Sequence, residues 1–181
     1  MLIDESLSIA PMMEMTDSHY RYFMRGLSKR TVLYTEMIVD DTINHHPNLD
    51  FKIGRDIEEQ PSVIQLGGHN PETLAQAAEI CSQYGGSYDE INLNCGCPSE
   101  RVSQRCFGAK LMTETDLVRE IVSQMGRRAH QPITVKCRLG VDNRDSYEEL
   151  CSFINSCYLG KYLLIPKRMY LSIHFISICQ L

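Results

Sequence analysis

Short apolar runs alternate with stretches of helical pattern along most of the chain, and turn residues separate them. Leu7–Ala10 (LSIA) predicts a strand closed by Pro11, and Ser18–Leu27 predicts a helix. Thr31–Thr35 (TVLYT) is β-branched and aromatic, a second strand. A polar connection follows through Asp50. Ser62–Leu66 (SVIQL) predicts a third strand ending at Gly67-Gly68, and Asn70-Pro71-Glu72 supplies a cap, a first-turn proline and an early acid for a helix to about Gln83. Glu90–Asn94 (EINLN) is a fourth strand leading into a loop over Cys95–Leu111. A helix over Thr113–Arg128, a fifth strand at Ile133–Lys136 and a further helix beginning over Ser146–Ile154 complete the pattern. Strands alternating with helices imply parallel βαβ units.

Composition narrows this to a soluble α/β protein. The chain has 181 residues, 43% hydrophobic and 23% charged, with eight Cys and no Trp. That suffices for one sizeable core. The motifs described below point to a TIM-type (β/α)8 barrel, truncated to about five βα units because a complete barrel takes about 250 residues. All 23 acidic residues precede Cys151, together with 15 of the 18 basic ones, so the body is acidic. This argues against bulk electrostatic capture of nucleic acid, although not against a local basic rim. The cysteines are not spaced as a disulfide scaffold, and the first residues resemble neither a secretory signal nor a transit peptide. A cytoplasmic protein with free thiols is expected. Beyond Ser156 the pattern loses its acids, caps and periodicity, so residues 1–156 are expected to form the barrel portion and 157–181 a divergent tail. The apolar run Met169–Leu181 has 13 residues, short of the ~20 that a membrane span requires.

Ligands of parallel βα folds bind at the carboxyl ends of the strands. The residues found there are Ala10-Pro11-Met12-Met13, Thr35-Glu36-Met37, Gln65-Leu66-Gly67-Gly68, Asn94-Cys95-Gly96-Cys97-Pro98-Ser99 and Lys136-Cys137-Arg138-Leu139-Gly140. Together they offer an amide, a thiol, an ammonium and apolar methionine surface, an inventory that suits a flat heteroaromatic ligand. Cys97, between Gly96 and Pro98, is held on a stiff turn. It is a candidate nucleophile, metal ligand or proton donor. A nucleophile would want a histidine base, and none falls at a strand end. Zinc would want paired ligands, and Cys95-x-Cys97 is too tight for a usual pair, so no metal is expected. Proton donation by the thiol remains. Lys136 points into the mouth of the sheet or forms a structural ion pair. The Gln65 amide can pair with a ring N–H and C=O together. Arg101, Arg105, Lys110 and Arg138 form a local basic cluster near the thiol, either a solvated loop or a seat for an RNA backbone.

At these residues the sequence resembles the tRNA-dihydrouridine synthase family, in particular the branch acting on D-loop positions 20/20a. The segments carrying the resemblance are SIAPMMEMTDSHYRYF, LYTEM, PSVIQLGGHNPETLAQAA, YDEINLNCGCPSERV, FGAKLM and TVKCRLGVDNRDSYEEL, from about Leu7 to Ser156. The resemblance implies an FMN enzyme that uses NADPH to reduce the C5–C6 double bond of a tRNA uridine. Pro11, Met12 and Met13 would line the flavin, Gln65 would hold its ring edge, and Lys136 would contact the flavin or a uracil carbonyl. Hydride from the flavin would reach C6 while Cys97 protonates C5 from the opposite face, with Asn94 and Arg138 touching the substrate. The partners implied are tRNA alone, with no membrane, and the full-length enzyme would be a monomer. Family members continue with three more strands, a histidine-arginine segment, a Gly-rich phosphate loop and a helical RNA-binding domain, none recognisable in this sequence. The rival readings are a non-catalytic fragment and a barrel flavoprotein acting on a free pyrimidine.

Overall fold

The computed structural model describes residues 7–53, 60–83, 88–99 and 106–159. Five strands form one parallel sheet in the order of the chain: β1 (Ser8–Ile9), β2 (Val32–Val39), β3 (Ser62–Gly67), β4 (Glu90–Cys95) and β5 (Ile133–Cys137). The helices are α1 (Ser18–Leu27), α2 (Asp40–His45), α3 (Leu49–Ile53), α4 (Pro71–Gln83), α5 (Thr115–Arg128) and α6 (Tyr147–Leu159). Each strand is thus followed by helix, and strand order equals chain order, the arrangement of a TIM-type barrel over its first five units.

Local chemistry accounts for the helix starts. Asp17 accepts a hydrogen bond from the Tyr20 N–H at 2.8 Å to open α1. The Asn70 side-chain oxygen accepts from the Glu72 and Thr73 N–H groups at 2.9 and 3.3 Å to open α4. Ser146 and Glu149 cap each other's backbone N–H at 3.2 and 3.4 Å before α6, a capping box. The sequence missed α2, α3 and the 3-10 turn Gly108–Thr113, all too short to show a helical period. The final helix, expected to begin over Ser146–Ile154, runs to Leu159 and brings Cys157 into the core at 0% exposure. Residues 160–181, most of the expected tail, lie outside the described residues.

The sheet is two-faced, and the alternation along each strand decides which residues meet helices. Ile64 and Leu66 of β3, Ile91, Leu93 and Cys95 of β4, and Ile133, Val135 and Cys137 of β5 join Leu74, Ala77 and Ala78 of α4 and Val118, Ile121 and Met125 of α5 in one apolar core. The intervening residues face the other way. Near the strand starts they include Val32, Tyr34 and Val63, which form a small second cluster, and the buried Glu90 paired with Val63. Further along they are Gln65, Asn92, Asn94, Thr134 and Lys136. A polar row on the face that a barrel turns inward is the feature that positions the site.

Candidate functional site

Hydrogen bonds tie the polar row together across three strands. Asn94 donates through Nδ2 to Gln65 Oε1 at 2.8 Å. Gln65 donates through Nε2 to Asn92 Oδ1 at 2.7 Å, and Asn92 donates through Nδ2 to Thr134 Oγ1 at 2.8 Å. Gln65, Asn92 and Thr134 are fully buried, and such burial is tolerated because each group finds a partner. The Gln65 N–H is also diverted. The register slips between Tyr34 and Met37 on β2, and there the Thr35 hydroxyl accepts from Gln65 N–H at 3.1 Å.

The same row holds Cys97. Asn94 Oδ1 accepts from the backbone N–H of Gly96 at 3.1 Å and of Cys97 at 2.9 Å. The Cys97 carbonyl in turn accepts from the Ala109 N–H at 2.9 Å. Ala109 belongs to the 3-10 turn that Gly108 opens at φ 68°, a left-handed conformation suited to glycine. The segment FGAKLM therefore braces the Cys97 loop from outside while Asn94 braces it from the sheet. Phe107 and Met37 close over Gly67 at the end of β3, where an added Cβ would lie 2.7 Å from Met37 Sδ and 3.0 Å from Phe107 Cε2. Cys97 itself is half-buried and free. A thiol so placed is fixed in direction yet open to a reactant.

Lys136 sits beside Asn94 in the β4–β5 register, also half-buried, with no hydrogen bond or ion pair among the described residues. Burial pushes its ammonium below the ordinary lysine value, the charge of Arg138 pushes the same way, and the thiols of Cys137 and Cys97 oppose them. The unfolded chain holds this proton more tightly than the folded one. Charged Lys136 therefore subtracts stability, and the deficit closes as pH rises through its folded value toward 10.5. Lys136→Met is expected to raise the urea midpoint where the ammonium is charged, with the gain fading toward pH 10.5. A gain of equal size at every pH contradicts this.

Pro11, Met12, Met13, Gln65, Asn94, Cys97, Lys136 and Arg138 all lie at or just beyond the carboxyl end of a strand. Gln65, Asn94 and Cys97 are joined by hydrogen bonds, and Lys136 adjoins them through the sheet register. Arg138 is exposed, and its stem runs past Gly96, whose added Cβ would lie 3.5 Å from Arg138 Cγ. Pro11 and Met12 are half-buried and Met13 is 56% exposed, in the loop after β1, two strands from Gln65. That loop is tied to β2 by the Glu14 N–H, which donates to the Glu36 carboxylate. Arg101 and Arg105 lie outside the described residues, and Lys110 is exposed near Cys106. Asn92 and Thr134 escaped the sequence reading. The signal was present, since Glu90-Ile-Asn-Leu-Asn-Cys95 alternates strictly between polar and apolar residues.

Cys81, Cys95, Cys137 and Cys157 are packing groups. Cys95 and Cys137 are register partners on the helix-bearing face. Burial pushes the Cys95 thiol far above its usual range, Cys137 upward, and Cys81 and Cys157 up to about 12. Among the described residues no group of three or more His, Cys, Asp or Glu side chains is arranged to hold a metal, and no helix is long and apolar enough to cross a membrane.

Residues 8–158 match the family described as dihydrouridine synthase. The match thus runs from the first residue of β1 to within one residue of the end of α6. Among curated relatives, a tRNA-dihydrouridine(20/20a) synthase from Synechocystis is 50% identical over 151 residues, covering 82% of this chain and 43% of the relative. One from Shewanella oneidensis is 44% identical over 172 residues, covering 93% of this chain and 50% of the relative. One from Escherichia coli K12 is 49% identical over 149 residues, covering 82% and 42%. The chain therefore spans about half the length of the curated relatives it matches. With its parallel βα units in barrel order and a family match over most of its length, this chain belongs to the dihydrouridine synthase family.

Proposed function

We propose that this chain is the barrel portion, residues 1–156 and the turn of helix that follows, of an enzyme reducing a tRNA uridine to 5,6-dihydrouridine. The enzyme would act as a cytoplasmic monomer with FMN as its bound redox group and NADPH as reductant. One observation carries the reading. In a chain of this family, a half-buried thiol stands at the carboxyl end of β4 with its backbone clamped by Asn94, next to Lys136 and Arg138.

The residues present suit the ring end of a flavin. Lys136 offers a half-buried ammonium without a partner among the described residues, fitted to a carbonyl or an electron-rich ring edge. Gln65 retains one Nε2 hydrogen and one Oε1 lone pair beyond its two interstrand bonds. Pro11, Met12 and Met13 supply apolar surface at the same end of the sheet. Barrel phosphate sites follow strands seven and eight, beyond the five strands described here. When reduced, FMN supplies the hydride that uracil C6 receives. Cys97 holds the proton for C5: the Sγ–H bond breaks, the C5–H bond forms, and the thiolate regains its proton from solvent. Asn94 keeps one Nδ2 hydrogen for a uracil carbonyl. Arg138, exposed at the rim, suits the phosphate of a nucleotide whose base has left its stack to reach the thiol.

A chimera tests this reading. Residues 8–158 replace the aligned segment of the Escherichia coli K12 synthase, in a strain lacking its own enzyme, and tRNA nucleosides are weighed by mass spectrometry. Dihydrouridine is expected to return to tRNA, and free uridine is expected to stay unreduced. A folded, flavin-loaded chimera that leaves tRNA unmodified, or that reduces free uridine equally well, overturns the proposal.

A further inference from the structure

We propose that Asn92, anchored by Thr134, is a positioning residue for Cys97, acting through Gln65 and Asn94 without touching the thiol; this rests on the reading of Cys97 as the acid. The direction of the hydrogen-bond chain is forced from one end. The Gly96 and Cys97 backbone N–H groups can only donate, so Asn94 must present Oδ1 to them. Its Nδ2 is then left for Gln65, which receives with Oε1 and so turns Nε2 toward Asn92. Asn92 receives with Oδ1 and must send Nδ2 to Thr134, the last acceptor in the row.

The three amides are 8% exposed or less, so water cannot replace a missing partner. Each amide can satisfy an unmet hydrogen only by turning over, and each turn sets donor against donor at the next link. With the Thr134 hydroxyl removed, Asn92 Nδ2 loses its acceptor. If Asn92 turns, it faces Gln65 Nε2 with a donor. If Gln65 turns as well, it faces Asn94 Nδ2, and a turned Asn94 can no longer receive the Gly96 and Cys97 N–H groups. The strain at Thr134 thus ends at the loop that aims the thiol, although Thr134 lies on a different strand from Cys97.

The test uses the chain itself and needs neither flavin nor tRNA. Cysteines are alkylated with iodoacetamide at neutral pH, and the rate at each site is read by mass spectrometry of peptides. The Cys97 rate is divided by that of Cys151, a half-buried thiol on α6. Thr134→Val is expected to raise this ratio about threefold to tenfold, as the loss of one buried hydrogen bond allows. Thr134→Ser, which keeps the hydroxyl, is expected to retain the native ratio. Asn92→Leu is a second way to cut the row, and thermal unfolding confirms that each variant is folded at the assay temperature. A native ratio in both Thr134→Val and Asn92→Leu overturns the inference, as does a Thr134→Ser ratio raised as far as that of Thr134→Val. An unchanged ratio beside an active chimera overturns this inference alone. A raised ratio beside an inactive chimera supports the coupling and overturns the proposed function.

Discussion

Cys97→Ala is expected to lower dihydrouridine formation by the chimera about 10²- to 10⁴-fold, the usual contribution of a positioned general acid. The bound flavin content is expected to stay unchanged, because the thiol sits on the loop after β4 and alanine keeps the backbone that Asn94 and Ala109 hold. A methyl group has no proton to give C5, and water must reach the same point without the loop to aim it. Cys97→Ser is expected to recover little, since a hydroxyl is a far weaker acid than a thiol. Cys106→Ala serves as the control: this residue is exposed, and its removal is expected to leave the rate unchanged. Dihydrouridine per tRNA, measured by mass spectrometry, and flavin absorbance of the purified proteins check both halves. A Cys97→Ala chimera that works at the native rate removes the thiol from the mechanism.

Asn94→Leu is expected to destabilise the chain itself by about 2–4 kcal/mol. Leucine is close to asparagine in shape but leaves three groups unmet: the N–H of Gly96, the N–H of Cys97 and Oε1 of Gln65. Gln65 is fully buried, so its oxygen loses a partner that solvent cannot supply, whereas Gly96 and Cys97 are half-buried and recover part of the loss from water. Asn94→Asp separates the two roles. A carboxylate still receives the Gly96 and Cys97 N–H groups but sets an oxygen against Gln65 Oε1, so a smaller loss than that of Asn94→Leu is expected. Urea denaturation measures both. An Asn94→Leu chain within about 0.5 kcal/mol of the native one, the range of an ordinary surface change, refutes the role given to Asn94.

Most of the architecture was legible because its elements are locally consistent. The helix Ser18–Leu27 was located to the residue, and strands 2 to 5 were found with their ends one to four residues short. The cap signalled at Asn70 is a real one, and the helix expected from Ser146 opens with that residue as its cap. The site residues were legible through one topological rule, that parallel strands present ligands at their carboxyl ends. The partnerships among them were not. Reading EINLN simply as a strand left unused the alternation that sends Asn92 and Asn94 to one side and Ile91 and Leu93 to the other. Gln65 was read for what its amide offers a ligand, and its ties from β3 to Asn92 and Asn94 went unforeseen. Register across strands decides such contacts, and no single-strand pattern reveals which side chains will lie opposite. The β2 slip beside Thr35 is of the same kind, since a bulge depends on the pairing of two strands.

On the proposed function, the polar face of this sheet delivers reducing equivalents to a uridine within tRNA. The most direct measurement is a single turnover of the chimera. Its bound flavin is reduced with NADPH, excess reductant is removed, and absorbance near 450 nm (roughly, for a band belonging to the oxidised flavin itself) is followed after adding tRNA without oxygen. Rapid reoxidation is expected with tRNA that carries unmodified uridine at the target position, and none with the same tRNA already reduced there. Flavin that stays reduced with both tRNAs, or reoxidises equally with both, contradicts the proposed function.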